Sequence, residues 1–402
     1  MNKWLTIAGM GEDGYEGLSA AARQVLAAAE VIVGSERLLG LLPPLDAERH
    51  VWPQPFSQVA SRILPLRGRA TVVLATGDPL NYGVARKLLE IVPFAETTII
   101  PHLSAFSLAA SRLGWSLPDC DTLTLHGREA ATLEPFIQPG ARLIVLTADG
   151  GTIGEVARRL AARGFGASEV TVLENMGGPR ERITRFPASA VPARAFSDLN
   201  TLAIACSAGA ATAARSRLAG LADDAFSHDG QITKREARAA TLAALSPAPD
   251  QLLWDVGAGC GSVAIEWMRS TRGAMAIAIE PSEKRRAFIA ENADRLGTPR
   301  LQLVAERAPA AYAGLPAPDA VFIGGGLSVP GVFEESWARL KPGGRMVVNV
   351  VTIEGEMHLY DLQEKFGGEL VRIAVSVLHR IGPNRVLRPR LPVTQWRAEK
   401  PW

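Results

Sequence analysis

The chain is poor in the residues that build disulfide frameworks and metal clusters. Its 402 residues include only three cysteines, at 120, 206 and 260, and six histidines. The cysteines are isolated and odd in number, and no HExxH pattern occurs. Neither a disulfide framework nor a Cys-rich zinc site is expected, no metal site is assigned, and a reducing cytoplasm is the expected compartment. A dominant charge is also lacking, because 43 Lys and Arg face 41 Asp and Glu and leave a net charge of +2. Such a balance gives no electrostatic footprint for nucleic acid or an anionic membrane. No apolar run reaches the ~18 residues that a membrane-spanning helix needs. The N-terminus reads as a strand entering a glycine turn, without the apolar core and cleavage site of a signal peptide.

Apolar residues make up 47% of the chain and charged residues 21%, as in soluble globular proteins. The 38 glycines and 27 prolines exceed the usual share. They fall in short clusters without a repeat, which excludes collagen-like and low-complexity readings and points to loop chemistry. At roughly 150 residues per domain the length implies two or three domains.

In the first half, apolar segments at 4–8, 30–34, 70–75, 97–101, 122–126, 141–147, 169–174 and 200–205 read as strands. Helical patterns at 18–29, 82–92, 103–113 and 153–163 alternate with them, and Gly114 and Gly164 stand where helix C-caps belong. The alternation predicts an α/β fold. Small and polar residues then intervene, so the expected division is a first domain at 1–207, a linker at 208–225 and a second domain at 226–402. The second half restarts the alternation: helix 233–245, strand 251–256, helix 261–270, strand 274–280, helix 282–296, strands 301–305 and 319–323, helix 330–340, strand 344–351, helix 355–366, strand 369–379 and strand 392–398. These are the elements of a doubly wound nucleoside-binding sheet with a terminal hairpin.

Residues 252–261, LLWDVGAGCG, are an apolar strand followed by GxGxG. Glycines at 257, 259 and 261 let the backbone turn sharply and approach a ligand, and the following helix points its first N–H groups toward it. Glu280, ending the next strand, suits a ribose diol. NAD and S-adenosylmethionine could both use this frame. Ser262 stands where NAD's third glycine would be, and Asp255 would repel a diphosphate but tolerate a sulfonium or an amino group. S-adenosylmethionine therefore fits better, with an NAD-dependent oxidoreductase as the rival. Ala308 follows the third strand, where adenine is usually held. Gly324, Gly325 and Gly326 follow the fourth, where methyl and acceptor meet, and Asn349 ends the fifth. Cys260 sits where only a small side chain fits.

Residues 9–14, GMGEDG, form a literal GxGxxG after a strand, with Glu36 further on. The acidic Glu12 and Asp13 argue against a pyrophosphate there. A second loop, LATGDPLNYG at 74–83, places Gly77, Asp78 and Pro79 after another strand. It suits an unusual backbone turn with a carboxylate acceptor, or a helix N-cap at Asp78.

With these loops in hand, residues 1–205 resemble a tetrapyrrole methylase domain. The matching pieces are Gly9-Met10-Gly11, Thr76-Gly77-Asp78-Pro79, Pro101-His102-Leu103-Ser104, Leu125-His126-Gly127-Arg128 and Glu174-Asn175-Met176-Gly177. Residues 226–402 resemble the decarboxylating methyltransferase domain of the cobalamin pathway, through Asp229–Glu236, the 255–261 loop, Glu280, Ala308-Pro309 and Gly324–Gly326. In this order and length the chain is similar to the fused, bifunctional precorrin methyltransferases. It departs from their usual Gly-Pro-Gly-Asp at the first loop, having Gly11-Glu12-Asp13-Gly14, and has Ala105 for a serine.

The resemblance implies a two-lobed tetrapyrrole methylase fold followed by a seven-stranded Rossmann-like methyltransferase. It implies S-adenosylmethionine in each domain, held by Gly9, Gly11, Gly77, Asp78, Pro79, Ser104 and Met176 in the first, and by Thr233, Gly257, Ala258, Gly259, Cys260, Gly261, Glu280 and Ala308 in the second. The implied substrate is precorrin-6Y, methylated at carbon 5 by the first domain and at carbon 15 by the second. The second domain would also remove the ring C acetate carboxyl, giving precorrin-8x. His126, Arg128, Gly324–Gly326, Asn349 and Arg385 are the expected substrate contacts, and further cations come from Lys234, Arg235, Arg380, Arg388 and Arg390. A homo-oligomer is expected, with no nucleic-acid or membrane partner. A non-catalytic tetrapyrrole-binding module is the third reading.

Overall fold

The computed structural model describes residues 3–53 and 58–402. The chain forms two compact units, one of Met1–Ala130 and Phe136–Ala213, the other of Ala131–Pro135 and Ala214–Trp402.

The first unit holds two sheets. Strands β1 (Leu5–Met10), β2 (Val31–Gly34), β3 (Glu48–Val51), β4 (Thr71–Thr76) and β5 (Thr97–Ile100) are all parallel, in the order β3-β2-β4-β1-β5. Side chains alternate between its two faces with period two. Leu5, Ile7 and Val73 enter one apolar cluster, while Ala8, Met10, Val72 and Leu74 enter the other. Both faces are thus covered, as a parallel sheet requires. The second sheet comprises β6 (Asp121–Thr124), β7 (Arg142–Leu146), β8 (Glu169–Glu174), β9 (Arg182–Pro187) and β10 (Asn200–Ala205), ordered β6-β7-β10-β8-β9. The helix Ala105–Leu113 packs Phe106 and Ala109 onto Ile144, Leu173 and Ala203 of this sheet. It ends at Gly114 in the left-handed conformation, as the C-cap reading expects.

The second unit is a seven-stranded sheet built from β11 (Leu252–Val256), β12 (Met275–Ile279), β13 (Gln302–Val304), β14 (Ala320–Ile323), β15 (Arg345–Val350), β16 (Glu369–Ile373) and the last strand, Val393–Glu399. Between β16 and that last strand, labelled β19, lie β17 (Ser376–Ile381) and β18 (Asn384–Pro389), which pair with each other in a separate two-stranded hairpin. The sheet order is β13-β12-β11-β14-β15-β19-β16, with β19 antiparallel to both neighbours. The order reverses between β11 and β14, and an open α/β sheet has its ligand crevice at such a point, beyond the strands' carboxyl ends.

The stretch between the sheets is shared by the two units. Ser207 N–H donates to Ser168 Oγ and Gly209 N–H to Gly164 O in the first. Gly220 and Leu221 donate backbone N–H groups to Glu266 in the second. Glu266 also pairs with Arg238 at 2.8 Å, both fully buried, and Arg238 bonds the carbonyls of Leu221 and Thr233. This network joins the segment before helix Arg235–Leu245 to the helix that follows the 257–261 loop.

Three strands escaped the sequence reading. β3, β9 and β18 are charged edge or hairpin strands (ERHV, RITRFP, NRVLRP), whose exposed side chains hide the apolar alternation. The expected strand 369–379 is two strands, because pairing passes from β19 to β18 after Ile373. The expected helix 82–92 shrinks to Ala85–Leu89. Gly83 lies so close to Pro79 that a Cβ would sit 2.4 Å from its carbonyl, and the chain is still turning there.

Candidate active sites

The crevice of the second unit encloses about 1550 Å³. Gly257–Cys260, Glu280 and Ala308 line it near β11 and β12, and Phe322, Gly324–Gly326, Asn349 and Arg390 line it toward β14 and β15. The segment Gly230–Lys234, including Thr233, completes the wall.

The three loop glycines serve different ends. Gly257 (φ +72°) passes so near Gly325 that a Cβ would lie 2.9 Å from its backbone. Gly259 (φ +60°) is uncrowded, and a Cβ there would meet Gln231 O at 3.8 Å in ordinary van der Waals contact. Gly261 (φ +78°) is buried as the N-cap of helix Ser262–Ser270, with Ile289 where its Cβ would be. The buried Glu280 carboxylate accepts from Gly259 N–H at 2.9 Å and Ser282 N–H at 3.0 Å, so it braces the loop from which it would reach a diol. Cys260 is buried and burial raises its thiol pKa, which fits a packing role. Asp229 accepts from Arg285 at 3.0 Å, and that bond holds its carboxyl below the usual range, pinning the Gly230–Lys234 wall to helix Glu283–Leu296. This is a cradle that fits S-adenosylmethionine: a glycine edge without a crowding Cβ contact at Gly259 and a carboxylate at the next strand end.

Two expectations change here. Asp255 does not line the crevice; it is 1% exposed and accepts from Ala264 N–H at 3.0 Å, capping the helix from within. Arg385 is also outside the lining. It stands exposed on the β17–β18 hairpin opposite Arg380, and the strand reversal carries it away while Arg390 enters the crevice. Arg390 pairs with Glu236 at 2.6 Å and keeps donors for a substrate carboxylate.

In the first unit, three loops converge at the carboxyl ends of β1, β4 and β5. A Cβ at Gly9 would meet Gly77 O at 2.2 Å and His102 Cβ at 2.7 Å, so Gly9 is required by backbone crossing alone. Gly11 lies beside Asp13 and His102, whose side chains approach to 3.6 Å. Glu12 turns to Arg37, which also bonds Thr76 Oγ1, and so leaves the loop edge. Asp78 accepts from Leu80 N–H at 2.8 Å in a local turn, and Pro79 is buried. Ser104 caps helix Ala105–Leu113 through Ser107 N–H. Met176 packs on that helix beside Phe106, and Gly177 N–H is held by Glu181 at 2.7 Å. His126 and Arg128 are exposed beyond β6, with the Arg128 guanidinium 5.6 Å from the Tyr82 ring centroid.

Residues 5–192 match the family model of tetrapyrrole (corrin/porphyrin) methylases, and residues 224–400 match that of the precorrin methyltransferase domain. A precorrin-6Y C(5,15)-methyltransferase [decarboxylating] of Sinorhizobium sp is 44% identical over 98% of this chain and 96% of that protein. The chain belongs to this family of decarboxylating precorrin-6Y C(5,15)-methyltransferases. The Mycobacterium tuberculosis protein of the same name is 38% identical over 98% of this chain and 100% of that one. A crystal structure of the C-terminal domain of the Rhodobacter capsulatus precorrin-6Y C5,15-methyltransferase covers 46% of this chain and 100% of its own at 44% identity and TM-score 0.44. Members of the family are methyltransferases and use S-adenosylmethionine, so the chain is an enzyme of that class. No helix among the described residues is long and apolar enough to cross a membrane.

Sequence reasoning missed part of the crevice. Glu354, Met357, His358 and Asp361 line it from helix Ile353–Phe366. Their spacing by three, four and seven marks one helical face, a signal that could have found them. Thr241 and Gln395, behind Asn349, carried no such signal.

Proposed function

We propose that the chain methylates precorrin-6Y at carbons 5 and 15 and decarboxylates the ring C acetate, giving precorrin-8x in cobalamin biosynthesis. Each unit holds one S-adenosylmethionine. The first unit serves carbon 5, and the second serves carbon 15 and the decarboxylation. The observation that carries this reading is the second unit's crevice, with a nucleoside-type glycine edge on one side and Gly324–Gly326, Asn349 and Arg390 on the other. The enzyme is read as cytoplasmic and as a homo-oligomer.

S-adenosylmethionine, when bound, supplies an electrophilic methyl group. The chain's task is alignment, and positioning of this kind can supply roughly 7–11 kcal/mol of a barrier. Gly257 and Gly325 let two loops touch, so cofactor edge and acceptor edge share one crevice. Arg390, held by Glu236, offers a planar donor set to a macrocycle carboxylate. Meso carbons of a reduced tetrapyrrole are nucleophilic without a strong protein base, and protonated pyrrole nitrogens can receive the electron pair that carbon dioxide leaves behind.

Mass spectrometry of the product from precorrin-6Y and S-adenosylmethionine tests the assignment. Two added methyl groups and one lost carbon dioxide are expected. Gly259→Arg fills the open edge of the crevice, so it should yield one methyl, no decarboxylation, and half the cofactor stoichiometry by calorimetry. Loss of both methylations would contradict separate sites, and tight NADH binding without S-adenosylmethionine binding would support the oxidoreductase rival.

A further inference from the structure

Behind the β15 wall of the crevice lie polar side chains where packing alone would ask for apolar ones. Thr241 and Gln395 are 0% and 1% exposed. Thr241 belongs to helix Arg235–Leu245, and Gln395 on β19 stands directly opposite Asn349 on β15. Asn349 is half-buried and lines the crevice.

The hydrogen bonds among the three fix their orientation. Thr241 Oγ1 donates its one proton to Ala237 O at 2.8 Å. Its lone pairs must therefore meet donors, and they meet Asn349 Nδ2 at 2.8 Å and Gln395 Nε2 at 3.3 Å. Gln395 Nε2 also donates to Asn349 Oδ1 at 2.9 Å. Flipping the Asn349 amide would set its oxygen against the Thr241 lone pairs and its nitrogen against the Gln395 donor. One N–H of Asn349 is used in this network, and its second remains for the crevice.

We propose that Thr241 and Gln395 are positioning residues for the carbon 15 reaction, holding the Asn349 amide so that its remaining N–H donates to a side-chain carboxylate of the macrocycle. The inference rests on the assignment of carbon 15 chemistry to this crevice. A polyanionic substrate offers many acceptors, and a donor fixed in direction selects one of them and with it the rotation of the ring. Stability does not explain the trio, because buried hydrogen-bonding partners replaced together by apolar groups of the same shape cost little.

The test uses the full chain with precorrin-6Y, scoring the two methylations separately. Thr241→Val removes the acceptor at nearly constant volume. It should raise KM for the tetrapyrrole at carbon 15, with kcat/KM falling about 10- to 100-fold, the range for a lost hydrogen bond to a charged group. S-adenosylmethionine affinity and carbon 5 methylation should stay as in the unaltered enzyme, while the thermal midpoint falls, because Asn349 Nδ2 and Gln395 Nε2 lose a buried acceptor. Gln395→Met should act in the same direction, and Thr241→Ser should restore activity. Because Thr241 acts through Asn349, Thr241→Val/Asn349→Ala should lose no more than Asn349→Ala alone. Full carbon 15 activity in Thr241→Val and Gln395→Met, or losses that multiply in the double variant, would overturn the proposal. Absence of carbon 15 methylation in the unaltered enzyme would instead remove the functional reading beneath it.

Discussion

Asp255 bears a cost that its neighbours only partly offset. Burial, with a smaller contribution from nearby Glu280, pushes its carboxyl up to about 7 against the hydrogen bond from Ala264 N–H, and Oδ1 has no hydrogen-bond partner among the described residues. An unfolded aspartate titrates near 3.8. Between these values the folded chain keeps a proton that the unfolded chain has lost. Stability from this group is therefore full below about pH 4 and falls as pH rises to 7, by on the order of 4 kcal/mol at 1.36 kcal/mol per unit. Asp255→Asn keeps an acceptor for Ala264 and cannot ionise. Thermal unfolding of both proteins from pH 4 to 8 should show the variant gaining on the parent up to pH 7 and level above it. Parallel curves would refute the buried titration. The sequence reading turned Asp255 toward the cofactor because its position before the glycine loop was legible. The inward rotation of its side chain was not, since that depends on the helix start it caps.

At the scale of elements, the 257–261 loop separates three demands that the GxGxG pattern merges. Gly257→Ala would press a Cβ onto Gly325 at 2.9 Å, in a conformation with φ +72°. Gly259→Ala meets Gln231 O at 3.8 Å without a clash and carries only the conformational strain of φ +60°, about 1–3 kcal/mol. Calorimetry should therefore find S-adenosylmethionine bound by the second unit of Gly259→Ala at reduced affinity. Gly257→Ala should lose carbon 15 methylation almost wholly, because the acceptor loop moves with it. Equal effects of the two substitutions would show that the Gly257–Gly325 approach is unimportant. The parallel strands and this loop were readable from sequence because buried strands carry continuous apolar runs. The partners of Asn349 were not, because Gln395 lies opposite it only through antiparallel register and Thr241 joins from a helix more than a hundred residues away. Arg385 and Arg390 looked equivalent for a related reason, since only the path of the β17–β18 hairpin separates them.

At the scale of the whole molecule, that hairpin is the least accounted-for surface of the second unit. Leu378 and Leu387 face each other across it at 58% and 69% exposure, with Ile381 at 66% near the turn. Arg380 and Arg385, also paired across the strands, share the leucine face, and like charges directly opposite are unfavourable without a neutralising neighbour. An exposed two-stranded ribbon is at best marginally stable alone, and three or more strands with a covered face remove that problem. A second copy of the chain laid on this ribbon would bury the leucines and extend the sheet, which is one way to build the proposed homo-oligomer. Leu378→Glu/Leu387→Glu should then lower the sedimentation-equilibrium mass from an oligomer to the monomer. Carbon 5 methylation, which the proposal assigns to the other unit, should persist. A monomeric parent would remove the homo-oligomer proposal, and a double variant that keeps an oligomeric parent's mass would place the assembly surface elsewhere; either leaves the hairpin's exposed leucines without this explanation.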